Sequence, residues 1–288
     1  MIRKPVFIVF LVIALATMAC GINIDLPVTV KTGPLQTETI SVPKPSDASS
    51  VADITLAFGA GELNLSSGAS DGLVSGTASF NITDFKPKVT IESNHIRIEQ
   101  GNLNIQGIPN FKEGVKNTWD LKLSDSPTNL RINAGAYTGD YELGGLALED
   151  LEISDGASNV NLSFSEQNKA QMSTFRYNTG ASSVKLNHLG NANFDTMFFR
   201  GGAGTYTLDF SGDLKRNADI TIDSGISTVN VIIPEGVGAR VTFEGGLTSV
   251  NTHGAWQKSG NVYSQAGSGP SITIRVNMAA GTLDLSNQ

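Results

Sequence analysis

The sequence predicts an all-β protein: a β-solenoid, parallel β-helix-like, with coils of about 21–24 residues and an N-terminal β-subdomain ahead of them. Three observations carry that expectation. A seven-residue phrase returns at a near-constant interval, apolar and polar residues alternate on both sides of it, and 31 glycines accompany few aromatics.

The phrase first reads Gly59-Ala60-Gly61-Glu62-Leu63-Asn64-Leu65 and returns as Gly156-Ala157-Ser158-Asn159-Val160-Asn161-Leu162. Further copies start at Gly180, Gly202, Gly225 and Gly246, and a last one starts at Ala279 and ends in Leu283-Asp284-Leu285. Five and three residues before each start stand apolar residues, for example Ile54 and Leu56, Phe175 and Tyr177, Ile274 and Val276. A copy at Gly135 has Leu130 and Ile132 ahead of it, but places Tyr141 and Leu143 two positions late, which reads as a two-residue insertion at its corner. Between residues 135 and 246 the starts fall 21, 24, 22, 23 and 21 apart.

Each unit is therefore a strand, a small-residue corner and a second strand, with four side chains inward and short polar residues between them. Glycine at the corner suits a sharp turn, where φ can be positive and a Cβ would intrude. Burying four side chains, about 1.5–3 kcal/mol each, falls short of the backbone entropy of ordering a coil, about 1–2 kcal/mol per residue. One coil cannot fold alone, so neighbours must share a core and parallel hydrogen-bond ladders. A β-sandwich is the structural alternative, since short strands and glycine-rich turns also describe it.

Two stretches break the period. Residues 35–130 read as an N-terminal β module that supplies and caps the first coil, with alternating runs from Lys88 to Glu99 and from Trp119 to Leu123. The solenoid proper spans 131–288, interrupted at 253–270 by a hairpin around Trp256 with Gly260-Asn261 at its turn, placed before the last coil. No amphipathic helix is evident.

The chain begins Met1-Ile2-Arg3-Lys4 and continues apolar from Pro5 to Ala19. That is the shape of a signal peptide over residues 1–19, and the run is too short for a comfortable membrane span. Thr17-Met18-Ala19-Cys20 resembles the lipobox of bacterial lipoproteins, which implies lipidation at Cys20, a tether over 20–34 and an extracytoplasmic, membrane-anchored protein. An ordinary secreted protein is the alternative. Cys20 is the single cysteine, which excludes an internal disulfide and a cysteine-based zinc site. Without residues 1–19 the chain keeps 18 basic against 27 acidic residues, a net charge of −9, so nucleic acid is not an expected partner.

The repeat also resembles the bacterial toast-rack families, adhesin-like domains related to the C-terminal part of cell-wall-stress response proteins. Val51 to Leu65 carries the likeness to the N-terminal module; the later coils, the Trp256 hairpin and Gly281-Thr282-Leu283-Asp284-Leu285 carry the likeness to the C-terminal one. The resemblance implies an envelope-associated, adhesin-like β-solenoid whose ligand is generally unknown.

Motifs for chemistry are sparse. Gly68-Ala69-Ser70-Asp71-Gly72 matches a nucleophile elbow in form, but no helix pattern follows it, and a β-turn is the plainer reading. His95, His188 and His253 lack metal-ligand spacing, and no metal, catalytic residue or cofactor is expected. Asp209, Asp223, Glu244 and Asp284 face outward in different columns, which leaves a polysaccharide lyase or hydrolase as the alternative function class. Phe198 is the one apolar residue at an outward position, either a partner contact or turned inward by a bulge.

The sharper expectation is a binding wall. The column three residues after each start holds Glu62, Asn159, Ser183, Thr205, Thr228, Ser249 and Thr282; two residues on stand Asn64, Asn161, Lys185, Thr207, Asn230, Asn251 and Asp284. Ser183, Thr205, Thr207, Thr228, Asn230, Ser249 and Asn251 are its candidate contacts. A hydroxyl- and amide-rich lattice with a rung about every 4.8 Å could hydrogen-bond a periodic envelope glycan; a surface protein is the other partner considered. Alternatively, short polar residues merely keep an exposed sheet soluble.

Overall fold

The computed structural model describes residues 28–29, 32–47, 49–102, 109–110 and 114–287. The signal peptide, Cys20 and most of the tether lie outside the described residues. In chain order the strands are β1 Val28–Thr29, β2 Gln36–Val42, β3 Ala52–Ser67, β4 Val74–Phe80, β5 Lys88–Glu92, β6 His95–Glu99, β7 Pro109–Asn110, β8 Asn117–Leu123 and β9 Pro127–Glu142. They continue as β10 Ala147–Ser163, β11 Met172–Asn187, β12 Phe194–Asp209, β13 Ala218–Ile233, β14 Gly238–His253, β15 Gln257–Ser259, β16 Val262–Gln265 and β17 Ser271–Asn287. Two 3-10 turns, Thr83–Phe85 and Leu189–Ala192, are the helical elements among the described residues.

The β-solenoid is confirmed. Each repeat is one long strand bent at its corner into a first and a second arm, and β3, β9, β10, β11, β12, β13, β17 and β14 stack in parallel in that spatial order. The arms face each other across the core: Phe199 of the first arm of β12 and Tyr206 of its second arm pack at 4.9 Å between ring centroids. Tyr177 and Phe199 stack across neighbouring coils at 5.5 Å, inside a core that runs unbroken from Ile40 to Leu285.

The repeat departs from the sequence reading in four ways. The last strand does not close the stack: β17 lies between β13 and β14, so β14 is the terminal coil. The copy at Gly135 has no insertion, because β9 keeps register with β3 and β10 through its corner and Gly139 pairs with Leu63 and Val160. A Cβ on Gly139 would lie 2.9 Å from the rings of both Tyr137 and Tyr141, which fill the place of the missing side chain.

Inward positions number more than the four expected, since the residue before each start and the one two after it also turn inward, as Phe58, Thr179, Tyr137 and Ser182 show. The corner glycines, finally, serve stacking rather than positive φ. A Cβ on Gly180 would sit 2.3 Å from the Gly156 carbonyl oxygen and one on Gly135 2.3 Å from that of Gly59, whereas positive φ occurs two residues on, at Gly61, Gly204 and Gly281.

At the N-terminal end β6 and β5 extend the first arm of β3, and β8, β4 and β2 extend its second arm. Trp119 of β8 is fully buried there, edge-on to Phe58 at 5.1 Å. At the C-terminal end the β15–β16 hairpin, turning at Gly260 and Asn261, pairs with Ala239–Thr242 of β14.

Candidate functional site

The two polar columns predicted on the second arm exist as registered ladders. In spatial order the first runs Ser249, Thr282, Thr228, Thr205, Ser183, Asn159, Thr138 and Glu62, and continues through Thr118, Ser79 and Thr37 of the N-terminal extension. Beside it run Asn251, Asp284, Asn230, Thr207, Lys185, Asn161, Asp140 and Asn64, then Asp120, Thr77 and Thr39. All are exposed or half-buried. Thr37, Thr39, Thr77, Ser79, Thr118 and Asp120 were missed as wall residues because their strands lack the corner phrase; their own period-two polar spacing was the available signal.

Side chains along the wall hold one another. Asn251 Nδ2 donates to Asp284 at 2.8 Å, Asn64 to Asp120 at 2.8 Å, Asn161 to Asp140 at 3.1 Å and Asn230 to the Thr207 hydroxyl at 3.3 Å. Ser249 and Thr282 share a hydrogen bond of 3.3 Å, as do Thr37 and Ser79 at 3.1 Å. Ordering of this kind lowers the entropy lost when a ligand is bound. The wall is also dented: Asn64, Ser75, Gly76, Asp120, Lys122 and Asp140 are among the residues around a depression of about 380 Å³. Gly76, on its rim, lets β4 lie close to β8, since a Cβ there would meet the Asp120 carbonyl oxygen at 2.0 Å.

The first arm presents different chemistry. Its outward faces carry the Arg131–Glu152 ion pair at 3.1 Å and a contact of 2.9 Å between His95 Nδ1 and the Asp53 carboxylate. Phe198 stays outward and in register, without a bulge, and the Arg176 guanidinium lies 5.5 Å over its ring. Two of the acidic residues placed in separate columns in fact share one: Asp223, Asn277 and Glu244 align, with Asn277 Nδ2 donating to Asp223 at 2.7 Å and Arg200 3.8 Å from it. Ser70 lies exposed in the turn before β4, so the elbow-like motif is a turn between strands. His188 meets the Ser163 hydroxyl at 3.2 Å, far from any such motif in the chain.

Inside the corners runs a polar seam that the sequence did not announce. Tyr177 and Tyr137 donate to the Asp155 carboxylate at 2.9 and 3.3 Å, Thr179 donates to it as well, and Thr179 also bonds Ser182. Burial, then the Asp155 charge, pushes the Tyr177 hydroxyl well above its ordinary value of 10.0; Tyr137 is raised by burial and by Tyr177 and Asp155. These groups hydrogen-bond one another across neighbouring corners, which braces the stack. Half-buried Asp155 and buried Thr179 also line an open depression of about 940 Å³ together with Arg200, Asp223, Glu244 and Asn277.

Fold and wall together define a β-solenoid scaffold that presents a long, flat, polar face. The family profile for the N-terminal domain of toast_rack, DUF2154, matches residues 31–187, and the chain belongs to that family. Among solved structures, the chain is similar to a "putative cell adhesion protein" from Clostridium sporogenes, at 19% identity and a TM-score of 0.48 over 88% of this chain and 100% of that one. It is also similar to a "putative lipid binding protein" from Parabacteroides distasonis (10% identity, TM-score 0.41, 90% and 99% covered) and a "putative adhesin" from Parabacteroides merdae (14%, 0.38, 91% and 99%). No curated protein matches it.

Proposed function

We propose that this chain is a non-catalytic, adhesin-like binding module, displayed outside the cytoplasm and tethered to the cell membrane through a lipid on Cys20, whose second-arm wall takes a periodic envelope glycan. The observation that carries the reading is the register of the two polar columns, which repeats hydroxyls and amides at strand spacing across every rung from β14 to β2. Sugar hydroxyls pair well with such groups, and the ladder hydrogen bonds fix their directions. Asp120 and Asp140, on either side of Asn64, are exposed acceptors of amide hydrogen bonds rather than a carboxylic acid held in an apolar pocket, which favours binding over hydrolysis.

The test uses soluble residues 21–288 with purified envelope polysaccharides, scoring co-sedimentation and release of reducing sugar together. Saturable co-sedimentation without release is expected. Replacing Thr205, Thr228 and Ser249 with Lys should abolish it while changing stability by no more than about 0.5 kcal/mol each. Binding untouched by those substitutions would remove the wall from the account, and sugar release would establish the alternative, a polysaccharide-active enzyme.

A further inference from the structure

The two layers of the solenoid stop at different places at the C-terminal end. The first-arm layer continues two strands past β14, through β16 and β15, and the turn seals Phe243: its N–H donates to the Asn261 carbonyl at 2.9 Å, and the Asn261 amide donates back to its carbonyl at 3.2 Å. The second-arm layer stops at β14 itself. Among the described residues, no strand pairs with the outer edge of Glu244–His253.

That edge differs from the others. Edge strand β2 carries Glu38, β5 carries Lys88 and Glu92, and β15 carries Lys258, charges of the kind that discourage strand pairing. Gly246–His253 contains no Asp, Glu, Lys, Arg or Pro. Its inward side chains are half covered: Val250 is half-buried and Thr252 exposed, where the equivalent Leu283 and Leu285 of β17 are buried. At the corner, Leu247 is 86% and Ile226 71% exposed, aligned on either side of Ala280 in a column that is alanine in the other coils.

We infer that the outer edge of the second arm of β14 is a strand-accepting site for an extended segment of a partner polypeptide, one or two strands wide. The hairpin overhangs that edge by two strands as a roof; Tyr263 is buried within it and half-buried Trp256 packs against the same core, which leaves Phe243 and Val250 as the half-covered apolar side chains that an added strand would meet. An added strand would point alternate apolar side chains under that roof and place polar ones in line with the wall, while its backbone takes up the free edge groups. A second copy of this chain, paired edge to edge, is the competing occupant, and sedimentation distinguishes it.

The probe is a fluorescein-labelled peptide of residues 202–210, which already pairs in parallel within this sheet and alternates Tyr206 and Leu208 with polar residues. Anisotropy should show saturable binding to residues 21–288. Val250→Lys and Thr252→Lys should each weaken it by about tenfold or more, whereas Ser183→Lys, on the wall and away from the edge, should not; this separates edge binding from glycan binding. Thr252 is exposed, so that variant tests the site even if Val250→Lys fails to fold. No saturation up to about 1 mM peptide, equal binding by Thr252→Lys, or a dimer in sedimentation that Thr252→Lys dissolves would overturn the inference.

Discussion

The two ends of this solenoid face the same physical problem and answer it differently. At the N-terminal end both layers are prolonged, by β6 and β5 on one side and by β8, β4 and β2 on the other, and Trp119 is sealed between them. At the C-terminal end one layer is prolonged and the other stops, leaving Val250 half covered and Leu247 in solvent. A repeat that cannot fold alone needs an end that stops it; among the described residues, one end is finished on both arms and the other on one arm only.

The largest expected effect separates the ends by packing. Trp119→Ala should cost about 3–5 kcal/mol in chemical denaturation, as full burial of a large aromatic implies, against about 1 kcal/mol or less for Val250→Ala. Equal losses would show that the C-terminal end is covered as well as the other. Next comes corner stacking. Gly180→Ala would press a Cβ to 2.3 Å from a backbone oxygen held on both sides and should cost about 1–3 kcal/mol, while Gly246→Ala, at 2.9 Å in a terminal coil free to shift, should cost less.

The seam supplies a pH signature that sharpens the contrast between the middle of the stack and its ends. Tyr177 and Tyr137 have hydroxyls raised above 10.0 by burial and by the Asp155 charge. The folded chain therefore holds those protons more tightly than the unfolded chain, so their stabilisation is complete below pH 10 and declines as pH climbs beyond it. Thermal melts should show Tm falling above about pH 10, with a shallower fall in Tyr137→Phe, which keeps Tyr177 as a donor to Asp155. A slope unchanged by that substitution would remove Tyr137 from the cause.

Much of this architecture was legible because the repeat constrains side chains column by column. Ile54, Leu56, Leu63 and Leu65 and their equivalents are inward in every coil that carries them, and the polar columns followed from the same alternation. Stacking order was not legible: coils of the same pattern present equivalent edges, so nothing in residues 271–287 distinguishes a place outside β14 from one between β13 and β14. Gly139 misled because the volume expected of a Leu at that position is supplied by Tyr137, two residues earlier. The seam stayed hidden since Asp155, Thr179 and Ser182 are polar: alternation carried on from Ile153, Tyr177 and Val184 places them inward, but their polarity masked it beside the glycine corner. The alignment of Asp223 with Glu244 needed only the corner count, which places both two residues before a start.

Residue-resolved hydrogen exchange on residues 21–288 tests the asymmetry of the ends most directly. Parallel pairing leaves alternate residues of an edge strand pointing away from their neighbour, so every second amide of Gly246–His253 should exchange at close to the unprotected rate, while Glu62–Ser66, with β8 on one side and β9 on the other, should be protected throughout. Uniform protection along Gly246–His253 in the free protein would mean that the edge is already occupied and would contradict the account of an unfinished end.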